Sequence, residues 1–239
     1  MRIAKNQETK MRVINTTLRL AIVAIGTVVI AGCATTAKMN SDLPATTEDG
    51  LQLVPAKNVD ALYWREGATL EPYTSVQLVD CTVAFKKDWL RNQNQKRYDL
   101  SSRVKPEDMD RIKAALSTRF NEEFTKVLEK GGYKVVDEGG ENVLELRPAI
   151  INLDVTAPDV RTAGMTRTYT TSAGEMTLYV ELFDSATGAK IGQAIDRQRA
   201  LDNGRITYTN SVTNTAEANR ILRKWANLLV DALDEAKAR

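Results

Sequence analysis

The chain has no histidine and, in 239 residues, only two cysteines, Cys33 and Cys81. Without histidine there is no Ser-His-Asp or Cys-His catalysis, no histidine proton shuttle and no histidine-ligated zinc, haem or non-haem iron. Two cysteines build neither a disulfide framework nor an all-cysteine metal site. A glycine-rich phosphate loop, a nucleophile elbow and a zinc signature are also missing, so neither cofactor nor metal is expected. What remains is ordinary for a folded globule, with 43% apolar and 27% charged residues. That balance argues against disorder and against a polytopic membrane protein, and the length suits one domain with an appendage.

The appendage lies at the amino terminus. Arg2, Lys5, Lys10, Arg12 and Arg19 precede an apolar or small run from Leu20 to Ile30, which meets Ala31-Gly32-Cys33. A charged region, a short apolar region and small residues before a cleavage point define an export signal. The run is too short to span a bilayer, which takes roughly 20 residues. Counting from Met11 rather than Met1 gives a signal of more typical length. Ile30-Ala31-Gly32-Cys33 resembles the lipobox of bacterial lipoproteins; an ordinary secretory signal ending in cysteine is the alternative. The resemblance implies a diacylglyceryl thioether on Cys33, cleavage before it and acylation of the new amino group. Two or three acyl chains hold a protein stably at a membrane, where one does so only marginally.

Trimming also reverses the charge. The whole chain has 33 Lys/Arg against 31 Asp/Glu, whereas residues 33–239 have 28 against 30, a net of −2. The apparent basicity belongs to the signal, and no nucleic-acid partner is expected.

Residues 34–50 are rich in Thr, Ala, Ser and Asp, the composition of a tether, so residues 33–50 read as a lipidated cysteine with a flexible linker and 51–239 as one domain. Val76–Phe85 reads as a single strand with Val79, Cys81, Val83 and Phe85 in one phase. Pro106 with Glu107 and Asp108 opens a helix whose apolar positions Met109, Ile112, Leu116, Phe120, Phe124, Val127 and Leu128 step by three or four until Gly131-Gly132. Tyr133–Asp137 and Val143–Val155 are the next extended pieces, with a phase change that places a bulge near Pro148. Met176–Phe183, the turn Asp184–Gly188 and a strand around Ile191–Ile195 form a hairpin. A last helix starts near Asn214, with Glu217 as a capping partner, and carries the stripe Ala218, Ile221, Leu222, Trp225, Leu228, Leu229, Ala232 and Leu233. The expected fold is α+β: a mixed, mainly antiparallel sheet with two long amphipathic helices packed against it.

Three stretches, Val83-Ala-Phe-Lys-Lys-Asp-Trp89, Leu146-Arg-Pro-Ala-Ile-Ile-Asn152, and Ala173-Gly-Glu-Met-Thr-Leu178 with Asp184-Ser-Ala-Thr-Gly188, resemble a bacterial lipoprotein family known as domain of unknown function 3313. The similarity runs from about Gly50 to the carboxyl end and implies no catalytic residue. The element order and the Glu181–Gly188 hairpin are more distantly similar to the α+β periplasmic modules of curli-secretion-type and transport-accessory lipoproteins, modules that assemble or bind. Ala34 after Cys33, where an inner-membrane retention signal usually has Asp, implies by analogy with enteric lipoproteins the periplasmic face of the outer membrane.

Candidate binding residues gather in two places. Lys86–Lys105 holds seven basic residues, among them Lys86, Lys87, Arg91 and Arg97, against two acids. Trp89 and Tyr98 lie within it. Such a loop suits lipid phosphates, glycan carboxylates or an acidic envelope protein; the alternative is a solvated connection balancing an acidic body. The polar stretch Ala157–Gly174, with Arg167 and Tyr169, reads from Met165 onward as a projecting β-arm, either open to a partner's strand or paired within its own sheet. Cys81 follows its strand's apolar phase and reads as a buried small hydrophobe. Glu145, Asp154, Glu175, Glu181 and Asp184 lie on or near strands, but no spacing fixes a glycosidase pair. The function expected from these features is a membrane-tethered, non-catalytic binding or assembly factor. A subunit of an envelope transport or secretion complex and a carboxylate-based envelope hydrolase are the alternatives.

Overall fold

The computed structural model describes residues 43–95, 97, 100, 103–155, 169–170, 174–199, 207–208 and 211–238, the backbone alone at 169–170, 207–208 and 211–213. Cys33 and the signal-like segment lie outside them. In chain order the elements are β1 (Gln52–Val54), β2 (Ala61–Trp64), β3 (Ser75–Leu78), β4 (Thr82–Phe85), α1 (Trp89–Asn94), α2 (Pro106–Lys130), β5 (Lys134–Val136), β6 (Val143–Asp154), β7 (Tyr169–Thr170), β8 (Glu175–Asp184), β9 (Lys190–Arg199), β10 (Thr207–Tyr208) and α3 (Ser211–Lys237). Eight strands make one open sheet in the order β1-β2-β9-β8-β6-β3-β5, with β4 also on β6. Pairs from β1 to β6 are antiparallel, and β3 and β4 join β6 in parallel. The α+β architecture with two long helices is the expected one.

Helix α2 follows from its sequence almost residue by residue. Pro106 fills the first turn, and Asp108 accepts the Lys105 N–H at 2.8 Å. Leu116, Phe120, Phe124 and Leu128 are buried in one stripe, each worth about 2 kcal/mol of apolar burial. The end is a left-handed cap: Gly132 has φ 87, its N–H donates to Glu129 O and that of Tyr133 to Leu128 O. Only glycine takes that conformation without strain.

Helix α3 lies beside α2 and runs in the same direction, because Arg223 pairs with Glu123 and Val230 sits against Gly131. It begins at Ser211, three residues before the expected Asn214, and Glu217 pairs with Arg220 rather than capping. Ile221, Leu222, Trp225, Ala226 and Leu233 are buried against the sheet, where they meet Leu144, Leu146 and Ile150 of β6 and Leu178 and Leu182 of β8. Ala232 is exposed.

The expected single strand Val76–Phe85 is two strands. Leu78 lies opposite Leu146 and Thr82 opposite Ala149, so one residue more lies on this side than on β6. The extra residue turns the chain over: Val76 is buried, Val79 is 38% exposed, and Cys81 is buried again. The bulge expected near Pro148 is elsewhere too. Register with β8 is continuous from Leu144 through Pro148 to Ile151 and slips before Asp154, at Asn152, whose φ is 53. Val79 N–H donates to Leu146 O, so every second residue of β6 turns its backbone toward β3 and β4. Pro148 is one of these and faces the break between them, where its missing N–H forfeits no ladder bond.

A smaller core covers the second face of the sheet. Leu51, Ala61 and Tyr63 are buried there with Leu43, Leu53 and Ile195 around them. Residues 43–50, tether-like in composition, are part of it: Thr46 bridges Gln52, and Ala45 O accepts the Leu53 N–H. Strands β7 and β10 pair with each other in a separate antiparallel ribbon, Tyr169 opposite Tyr208.

Candidate functional site

Strands β4, β6 and β9 finish, and β8 starts, at the same end of the sheet. Phe85 is opposite Leu153, Asp154 opposite Glu175, and Glu175 opposite Arg199. Cations crowd this end. Glu175 bonds the Arg197 guanidinium, Arg199 at 3.0 Å and Lys86 at 3.6 Å, and Lys86 also reaches Asp154 at 3.0 Å. Burial works against the ionised form of Glu175, yet the hydrogen bonds from Arg197 and Arg199 and the charge of Lys86 hold its carboxyl below the usual range. The Asp154 carboxylate raises the Lys86 ammonium above its ordinary value. Three cations thus share two carboxylates, leaving positive charge over.

The basic segment after Lys86 folds around a core of its own. Trp89 is 2% exposed, stacks on Phe85 at 4.2 Å and donates its indole N–H to Val155 O at 2.8 Å. It is therefore a packing residue, not the surface contact its neighbours suggested. Val104 and Met109 complete this core. Asn94 closes the segment with both ends of its amide: its Nδ2 donates to Val104 O and its Oδ1 accepts the Val104 N–H, each at 2.8 Å. With Trp89 below, Lys87 in the turn before α1 and Arg91 on it are exposed; Arg91 pairs with Asp88 at 3.3 Å across one turn. Arg97 Nε donates to Gln93 O at 3.2 Å, and Arg103 Nε to Arg97 O at 3.3 Å. Leu100 between them is 72% exposed. Arg167 lies outside the described residues, and of Tyr169 only the backbone pairing with β10 is described.

The structure thus brings Lys86, Lys87, Arg91 and Arg97 together and adds Arg197 and Arg199, which the sequence reading missed by ending β9 at Ile195. Their signal was the alternation Asp196-Arg197-Gln198-Arg199, which continues the strand. Helices α2 and α3 also start at this end, so the positive ends of both helix dipoles lie here.

The five strand carboxylates are engaged: Glu145 with Arg147, Asp154 with Lys86, Glu175 with its three cations, Glu181 with Lys190, and Asp184 with Tyr73 and Thr187. Hydrogen bonds from Thr187 hold Asp184 below the ordinary carboxylate range, as its cations do Glu175. No group of three or more Cys, Asp or Glu among the described residues could hold a metal ion. This end of the sheet gathers guanidinium and ammonium donors of the kind that form charge-assisted hydrogen bonds.

The family pattern for the protein of unknown function DUF3313 matches residues 47–229. The chain belongs to the DUF3313 family. No curated protein matches it. Among solved structures, the PelC dodecamer from Paraburkholderia phytofirmans is similar at 11% identity and TM-score 0.33, covering 68% of this chain and 95% of that one. A single-substitution variant of it gives 13%, 0.32, 68% and 94%. A homologue of the neuraminyllactose-binding hemagglutinin from Helicobacter pylori gives 11% identity and TM-score 0.33 over 70% and 88% of the two chains. In this DUF3313 chain the matched span opens inside the segment that covers the second face. There Lys190, only 9% exposed, donates to Asp49 at 2.7 Å, Glu181 at 2.6 Å and Gln193 at 3.0 Å. Burial opposes its charge, but the two carboxylates more than compensate and raise its pKa.

Proposed function

We propose that this DUF3313 protein is a lipid-anchored, non-catalytic binding or assembly factor of the bacterial envelope, held on the periplasmic face of the outer membrane. The observation that carries the reading is Ile30-Ala31-Gly32-Cys33 at the end of the apolar run Leu20–Ile30. The folded body supports it: the five strand-borne carboxylates are engaged by cations or turns, and exposed positive charge is gathered at one end of the sheet, where it suits an anionic surface.

Replacing Cys33 tests the anchor. The parent protein is expected to sediment with membranes and to carry diacylglyceryl and acyl masses on Cys33, whereas Cys33→Ala loses both. A Cys33→Ala protein that stays membrane-bound and migrates unchanged overturns the reading, as does an unmodified Cys33 in the native product.

A further inference from the structure

The described body is electrically polarised along its strands. At the end where β4, β6 and β9 finish, Lys86, Lys87, Arg91, Arg103, Lys105, Arg197 and Arg199 are exposed and outnumber the exposed acids Asp60, Asp88, Glu107 and Asp110, and α2 and α3 present their positive dipole ends. Around the β8–β9 turn at the other end, Glu48, Asp49, Glu66, Glu71, Asp137, Glu138 and Glu141 are exposed and outnumber the exposed cations Arg65, Lys130 and Lys134, and both helices finish there. The amino-terminal segment has a defined direction as well. Traced back from Gln52, it doubles antiparallel to β1 through Thr46 and Ala45 to Leu43, which packs on the small core of Leu51, Ala61 and Tyr63, as Ile195 does. Gln52 is level with Trp64 and Gly192, whereas Ile195 is three residues nearer Arg197. At Leu43 the chain, traced backward, therefore points toward the basic end.

We infer that the basic end, with exposed Leu100 among its cations, is the face this protein lays on the anionic phospholipid headgroups of the membrane that anchors it. The inference rests on the anchor reading and adds an orientation to it. Guanidinium and ammonium groups pair with headgroup phosphates, Leu100 enters the boundary beneath them, and the acidic end is repelled outward. The basic end then serves the membrane, and a macromolecular partner meets the opposite end.

Site-specific labelling of the full, lipidated chain tests this, since Cys33 is acylated and Cys81 is buried. A fluorophore is placed at Asn92→Cys on α1 or at Glu138→Cys beside the β8–β9 turn, and the protein is reconstituted in vesicles containing a brominated quencher lipid. With phosphatidylglycerol present, quenching at position 92 is expected to exceed that at 138 several-fold. The difference is expected to disappear in neutral phosphatidylcholine, at high salt, or with Lys87→Glu and Arg91→Glu combined. Equal quenching at both positions, stronger quenching at 138, or indifference to phosphatidylglycerol overturns the inference. So does efficient crosslinking of position 92 to position 138 of a second copy, which assigns the basic end to head-to-tail assembly. A protein that carries no acyl mass and stays off vesicles refutes the anchor reading instead, whereas an anchored protein without end preference refutes only the orientation.

Discussion

Asp196 is a carboxylate placed where charge is expensive. It is 3% exposed beneath α3, and accepts the Trp225 indole N–H at 2.7 Å and the Gln198 amide at 2.6 Å. Burial raises its pKa against the pull of those two donors. The unfolded chain therefore loses this proton first as pH rises, and stability falls between the ordinary carboxylate value and the raised one. Asp196→Asn keeps an oxygen for Trp225 and removes the charge. It is expected to melt a few degrees above the parent at pH 7, with the gap closing as pH is lowered through the carboxylate range. A variant that melts lower at pH 7 would mean that the ionised group is worth more than its burial costs. Burial acts on Cys81 in the same sense, pushing its thiol up to about 12 and making it a poor nucleophile in the native protein. The sequence reading of Cys81 as a buried hydrophobe rested on its strand phase. That phase survives because the extra residue in the chain lies before Cys81 and not after it.

At the scale of elements, what could be read from the sequence was whatever carried its own period. Helix α2 repeats apolar residues every three or four positions and ends on two glycines, and the β8–β9 hairpin alternates around Asp184–Gly188, so both were legible. Strands β1 and β2 are three and four residues long and exist because β9 pairs with β2 and β2 with β1, a cause located far along the chain. Helix α1 has six residues and forms because Trp89 is drawn under Phe85, which made a core residue look like a surface aromatic. The bulge in β6 was legible as a change of phase but not in its position. Proline is the usual suspect, whereas Asn152 is the residue that adopts a left-handed backbone. Asn152→Val is therefore expected to cost roughly 1–3 kcal/mol in urea unfolding, and Asn152→Gly close to nothing. Equal tolerance of both would mean that the bulge has moved elsewhere.

For the whole molecule, Lys190 joins the amino-terminal segment to the middle of the sheet. Its bond to Asp49 depends on two shifted groups with opposite signs. Asp49 is held below its ordinary value by Lys190, so that contribution is present above the carboxylate range and lost as pH falls through the lowered pKa. Lys190 is raised, so its contribution is complete below the ordinary lysine value and lost only as pH climbs through the raised one. The contact thus persists across the neutral range. Lys190→Met is expected to destabilise the protein by roughly 1–3 kcal/mol and to speed amide exchange at Leu51 and Leu53 more than at Leu146. Uniform acceleration would assign Lys190 to global stability alone. The basic end was legible only in half: the run after Lys86 stood out in the sequence, but Arg197 and Arg199 join it through strand pairing. The same pairing constrains biogenesis. Ala61 takes its place beside Ile195, so a chain delivered amino end first must carry β1 and β2 as orphans until β9 arrives. Throughout that interval the edge of an unfinished sheet is open to proteases and holding chaperones, and maturation is timed by the last third of the polypeptide.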